Sequence, residues 1–141
     1  MTLSRRDLGV LLPVLAGVAK GQPAARQMPS KVLHSGQLPY SGDAKKKGRQ
    51  FFRGANHSGF DIEMHETVLG PGVETHPAHK HEHEEIVIVM EGSVESFLEG
   101  KTEVAEAGSV IVNGSNLMHT VKNAGTTPCR YYVIELRGKP A

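Results

Sequence analysis

The stretch HPAHKHEHEE, residues 76–85, holds four of the chain's eight histidines and three glutamates. Imidazole and carboxylate are the donors of a divalent-metal site, and they are also the stuff of a solvated, charge-rich loop. Spacing bears on the choice. In extended chain alternate residues point to one side, so His79, His81, His83 and Glu85 share a side, while Lys80, Glu82 and Glu84 face away. Neighbours two apart stand roughly 6–7 Å from each other, close enough for their side chains to converge on one ion. Glu85 also opens the apolar run EIVIVMEG, which draws its carboxylate into a partly buried space. An unpaired buried carboxylate is costly, and a divalent cation would satisfy it. Farther on, NLMHTVKN sets His119 inside a strand-like stretch. Alone, a histidine there reads as a satisfied core residue. Beside the cluster it reads as a further ligand candidate.

These side chains need a frame, and from residue 49 the sequence supplies one. Short runs of strand-forming residues alternate with glycine turns: RQFFRG, GFDIEMHETVLGPG, EIVIVMEG, SVESFLEG, KTEVAEAG, SVIVNG, LMHTVKNAG and CRYYVIELRG. In the second, Phe60, Ile62, Met64 and Val68 share one face, and Asp61, Glu63, His65 and Thr67 the other. Many short strands with glycine at the turns predict an all-β barrel or sandwich. Residues 49–138 form the barrel domain in this reading. Residues 26–48 form an irregular N-terminal arm with one short strand at Lys31–His34.

Residues 1–25 differ from the rest. Arg5 and Arg6 precede an apolar run from Leu8 to Ala19, too short for a bilayer core that needs about 20 apolar residues. The layout is that of a signal peptide with a short apolar helix. SRRDL is similar to a twin-arginine export signal, although Gly9 fits its second hydrophobic position poorly. General secretory export is the alternative, and a cytoplasmic protein with an apolar first helix is the weaker one. Export places the mature protein in the periplasm or outside the cell, starting between Lys20 and Gln27. The remaining composition is that of one soluble globular domain: 141 residues, 22% charged, net charge +1. The short run Lys45–Lys47 is no nucleic-acid stripe. A single cysteine, Cys129, excludes an intramolecular disulfide and a thiolate metal cluster, and reads as a strand residue.

Two spacings resemble the cupin family. His79-x-His81-x3-Glu85-x6-Gly92 fits the first cupin motif, except that Gly72 lies one residue upstream of the motif's opening glycine. Gly108, His119 and Asn123 keep the spacing of the second, with Gly114 in place of its proline and Asn116 in place of its second glycine. The resemblance covers Gln50 to Glu135. It implies an antiparallel double-stranded β-helix, the jelly-roll barrel, with His79, His81, Glu85 and His119 as ligands of one divalent transition metal per chain. Three imidazoles and a carboxylate without sulfur suit Mn, Fe, Ni, Cu or Zn. Mn or Fe is favoured if the barrel closes before export, because Cu and Zn win an open competition. Four protein ligands on an octahedral ion leave two positions for a small molecule or dioxygen.

Three functions follow from such a centre: a dioxygenase-like enzyme, a non-oxidative isomerase, decarboxylase or lyase, or a binding protein for a small carbohydrate or acid. Glu63, His65, Glu95 and Arg130 are the candidates for a general acid or base. His83 is expected beside the ligands or on the surface, and His76 at the rim. Val87 and Val89 are the expected apolar wall. No phosphate loop, serine triad or glycosidase carboxylate pair is present. The resemblance further implies a homodimer, with Lys31–Tyr40 lying across the partner.

Overall fold

The computed structural model describes residues 27–138. The expected signal helix over residues 1–25 lies outside the described residues. After a 3-10 turn at Ser35–Gln37, nine strands follow: β1 Ser41–Gly42, β2 Lys46–Ala55, β3 Asp61–Leu69, β4 Glu84–Glu91, β5 Ser93–Leu98, β6 Lys101–Glu106, β7 Val110–Asn113, β8 His119–Asn123 and β9 Cys129–Leu136. Each glycine-bounded run of the sequence has become a strand. The strand expected at Lys31–His34 has not formed: the segment pairs with no neighbour, and Val32 is exposed. Among the described residues no helix is long and apolar enough to cross a membrane.

The strands form two antiparallel sheets, one in the order β1-β2-β3-β9-β4-β7 and one in the order β6-β5-β8. Their facing sides close on a core of Leu69, Val87, Val89, Val94, Val121, Cys129, Tyr131 and Val133. Only two of these, Val94 and Val121, come from the smaller sheet. The turn from β4 to β5 brings Gly92 against β9. Its φ is +74°, and a Cβ there would meet the Cβ of Cys129 at 3.0 Å, so glycine is required on both counts.

Register sets the chemistry of the interior. Across β4, β9 and β3 the inward residues line up as rungs: Val89–Tyr131–Thr67, then Val87–Val133–His65, then Glu85–Glu135–Glu63. The interior therefore grades from apolar to ionisable toward one end of the barrel. On β3 it is the polar face, Glu63, His65 and Thr67, that turns inward. The apolar face of Ile62 and Met64 turns outward, the reverse of a simple half-buried strand.

Outside the large sheet, Glu66 is fully buried. Its carboxylate accepts a hydrogen bond from the Tyr40 hydroxyl and one from Arg49 Nη2 at 3.0 Å, and Arg130 Nη1 stands 3.6 Å away. Arg49 also donates to the Ser35 carbonyl at 2.5 Å and lies 4.4 Å from the centre of the Tyr40 ring. The arm is thus fastened to the chain's own sheet through one buried carboxylate. Burial first, and then the bond to Glu66, raises the Tyr40 pKa, which keeps that hydroxyl a donor.

Candidate metal centre

His79 and His81 lie in the loop before β4, Glu85 near its start and His119 at the start of β8. The loop and β8 are joined by a pair of backbone bonds, His79 N–H to His119 O at 3.1 Å and His119 N–H to His79 O at 2.9 Å. That bridge places side by side two histidines far apart in sequence. A third bond, Asn116 N–H to His81 O at 2.7 Å, ties the turn before His119 to the same loop. Asn116 stands where the motif has glycine, and its φ is +58°. Asparagine is among the few other residues that visit this region, so the departure keeps the turn.

The ligand atoms of His79, His81 and His119 all lie within 4.8 Å of one another. Glu85 completes the group, with Oε2 3.8 Å from His81 Nε2 and Oε1 4.0 Å from His119 Nε2. Two atoms each about 2.0–2.2 Å from a shared ion are at most about 4.4 Å apart, so both spacings fit a common centre. The tautomers fit as well. His81 Nδ1 is 2.8 Å from the His83 carbonyl, and His119 Nδ1 is 2.8 Å from the Leu117 carbonyl. A proton held at Nδ1 leaves the Nε2 lone pair of each ring for an ion. His119 Nε2 is buried with no hydrogen-bond partner, a cost that an ion would remove. Burial first, and then His76 nearby, lowers the His79 pKa, which favours the neutral, ligating ring.

Asn113, which the sequence reading missed, donates to Glu85 Oε1 at 3.0 Å and faces it across the β4–β7 pairing. Its signal was a polar residue at an inward position of SVIVNG. Glu135 was missed too. It continues the inward alternation Tyr131, Val133, Glu135 and stands opposite Glu85.

These four residues line a cavity of about 380 Å³, with His65, Glu135 and the apolar side chains of Val87, Val121 and Val133 on its walls. His65 thus faces the cavity, with Nδ1 3.6 Å from Glu63 Oε1. His83 stacks flat on His81 at 3.6 Å and sets Nε2 3.5 Å from Glu135, so it buttresses the His81 ring. His76 is exposed at the rim, its ring edge-on to His79 at 4.0 Å. Val87 is wall, whereas Val89 lies in the core beyond the cavity. Glu95 and Arg130 are not at the cavity: Glu95 lies opposite Val104 and Lys122 in the small sheet, and Arg130 serves Glu66 and Glu91. Burial raises the Cys129 thiol, which removes it as a nucleophile.

Glu63, His65 and Glu135 form a second group whose donor atoms come within 4.8 Å of one another. Arg137 already contacts both carboxylates, and Arg53 lies 3.7 Å from Glu63. Guanidinium groups supply there the charge that an ion would bring. A larger groove of about 630 Å³ holds Phe60, Ile62 and Leu136 and shares with the cavity only His83 and Arg137. Ile62 and Leu136 are outward residues, and none of His79, His81, Glu85 and His119 lines that groove.

The cupin domain profile matches residues 65–135. No curated protein matches the sequence. Among solved structures, an RmlC-like cupin from Shewanella frigidimarina is 18% identical, with a TM-score of 0.66 over 80% of this chain and 95% of that one. The polyketide cyclase RemF from Streptomyces resistomycificus is 22% identical, with a TM-score of 0.62 over 81% and 83%. A predicted oxalate decarboxylase from Thermotoga maritima is 19% identical, with a TM-score of 0.63 over 76% and 99%. At these identities the likeness is one of fold.

Proposed function

The chain belongs to the cupin family, and on that premise we propose that it is a small-molecule enzyme of oxygenase type built on one divalent metal held by His79, His81, Glu85 and His119. The observation that carries this is the convergence of three imidazoles and a carboxylate at one wall of a cavity whose other walls include valines. A bound transition ion would supply Lewis acidity and, for Fe or Cu, redox contact with dioxygen. The chain's own residues do the rest. Val87, Val121 and Val133 give the cavity an apolar wall. Asn113 holds Glu85 in its orientation. His65, with Nδ1 turned to Glu63, is the candidate to take up a proton from a ligand through Nε2.

That His65–Glu63 pair favours one second reading, non-oxidative isomerase, decarboxylase or lyase chemistry, in which proton transfer rather than dioxygen is central. Pure ligand binding is the third. Metal-quantified protein offered flavonols, catechols, diketones and oxalate, with O2 uptake and products followed, tests them together. Metal-dependent O2 uptake with a catechol, flavonol or diketone is the expected result. Turnover without O2 uptake would replace the first reading with the second, and binding without turnover would leave the third. Mn or Fe remains the favoured metal, on the premise that the arginine-paired leader exports a folded barrel. Mass spectrometry of the mature N-terminus from the native host reads that export directly.

We also propose a homodimer, now through the large sheet. Its outer face carries Val112, Ile86, Ile134 and Met64 in one rung and Val110, Ile88 and Tyr132 in the next. Val110 and Val112 are 58% and 62% exposed. A sheet apolar on both faces calls for cover on both. Light scattering at micromolar concentration should give twice the chain mass, and Val110→Glu with Val112→Glu should lower it. A wild-type monomer contradicts the proposal.

A further inference from the structure

The metal-ligand wall is one side of the cavity; Lys46, Thr67, Thr75 and Tyr131 form another part of its lining. Lys46 opens β2, and its ammonium donates to the Thr75 carbonyl. Among the described residues no carboxylate pairs with it, so two of its three N–H donors remain for a ligand. Tyr131 is 1% exposed, and its hydroxyl lies within the wall against those of Thr67 and Thr75, which leaves Lys46 as the accessible donor on this side.

Charge points the same way. The cavity lining holds two cations, Lys46 and Arg137, and two carboxylates, Glu85 and Glu135, which cancel. A divalent ion at the His79–His81–Glu85–His119 group would add a double positive charge to that balanced lining. Unbalanced charge in a space partly walled by valine is costly, and a dianion removes the cost. The two features also divide that dianion between them. One oxygen-donor end belongs at the ion, and a second anionic group belongs at Lys46.

We propose that the cavity takes a compact organic dianion, a hydroxy- or oxo-dicarboxylate, whose second carboxylate is bound by Lys46. This rests on the metal-centre reading above and names the ligand class of that site. Thr67, facing Tyr131 across the β3–β9 pairing, lines the same subsite. Arg137 is already committed to Glu135 and Glu63, which leaves Lys46 as the cation for the ligand.

The test compares malate with lactate. The two share an α-hydroxy-carboxylate head, and only malate has the second carboxylate. Titration calorimetry of the Mn(II)-loaded full chain should show malate binding at least about tenfold tighter than lactate, the worth of one charge-assisted contact. Lys46→Met should collapse that ratio toward one while leaving lactate affinity and Mn content unchanged. Equal binding of the two acids, or a ratio that survives in Lys46→Met, overturns the inference while Mn-dependent lactate binding leaves the metal centre standing. Mn(II) uptake with no Mn-dependent binding of either acid overturns the inference alone, and failure to take up Mn(II) overturns both.

Discussion

His119→Ala and His81→Ala each leave the protein without its metal: elemental analysis after gel filtration should show occupancy near zero, an affinity loss of more than about 100-fold. Loss of a partner that only orients a ligand already costs roughly 10- to 100-fold, and loss of a ligand costs more. Asn113→Ala, which removes the hydrogen bond to Glu85, therefore belongs in that lower range. His119 is nearly buried, so its variant also leaves a hole in the barrel, whereas the His81 side chain is 17% exposed and disturbs the core less. The two defects can be separated. A metal bound only by the folded state at a hundredfold excess over its Kd adds about 2.7 kcal/mol, which is roughly 10 °C or more in Tm for a domain of this size. Chelator should lower the wild-type Tm by that amount and leave the Tm of either variant unchanged. Full occupancy in a His79→Ala, His81→Ala double variant refutes the ligand set outright.

The second large effect is expected far from the cavity. Glu66 is the buried charge on which Tyr40, Arg49 and Arg130 converge. Glu66→Ala removes the shared anion and strands Arg49, whose side chain is only 11% exposed. Breaking a buried ion pair from one side typically costs 3–5 kcal/mol, because the remaining charge is left uncompensated. Arg130 keeps its contact with Glu91 and is 26% exposed, so it recovers some hydration, and the lower end of that range, about 3 kcal/mol, is expected. Urea unfolding should show this as a lower midpoint with little change in slope. Tyr40→Phe should cost about 1 kcal/mol, the worth of one hydrogen bond, and should expose the arm around Ser35 to protease first. Metal content should be unchanged in both folded variants. A Glu66→Ala protein as stable as wild type would mean that the two arginines find water as easily as they found the carboxylate.

Much of the frame was legible beforehand. Strands β2 to β9 correspond to runs that the glycine turns had already marked off, because a turn needing positive φ favours glycine. Gly92 meets both that demand and close contact with Cys129. The common side of His79, His81, His83 and Glu85 was legible for a similar reason. Alternation is a local property of extended chain, and in the structure the even-numbered residues between them, Lys80, Glu82 and Glu84, are indeed exposed. His83 shows where local reasoning stops. It shares the side of the ligands, yet it is turned to stack on His81 and meet Glu135, a contact with a strand that the local sequence does not contain.

What the amino-acid order determined by itself was the kind of fold, the extent of most strands and the types of donor brought to one place. The tertiary structure decided which faces meet. Alternation divides β3 into two faces but does not say which is inside, and here the polar face is, because β3 pairs with a strand whose inward residues end in Glu135 beside the ligand Glu85. Only the pairing of segments distant in sequence put His119 against His79, Asn113 against Glu85, Arg137 against Glu63, and Lys46 on the same cavity as the candidate metal ligands. Those contacts are non-local. Their free energy depends on distances that the closed barrel creates, and no short window of sequence contains both partners.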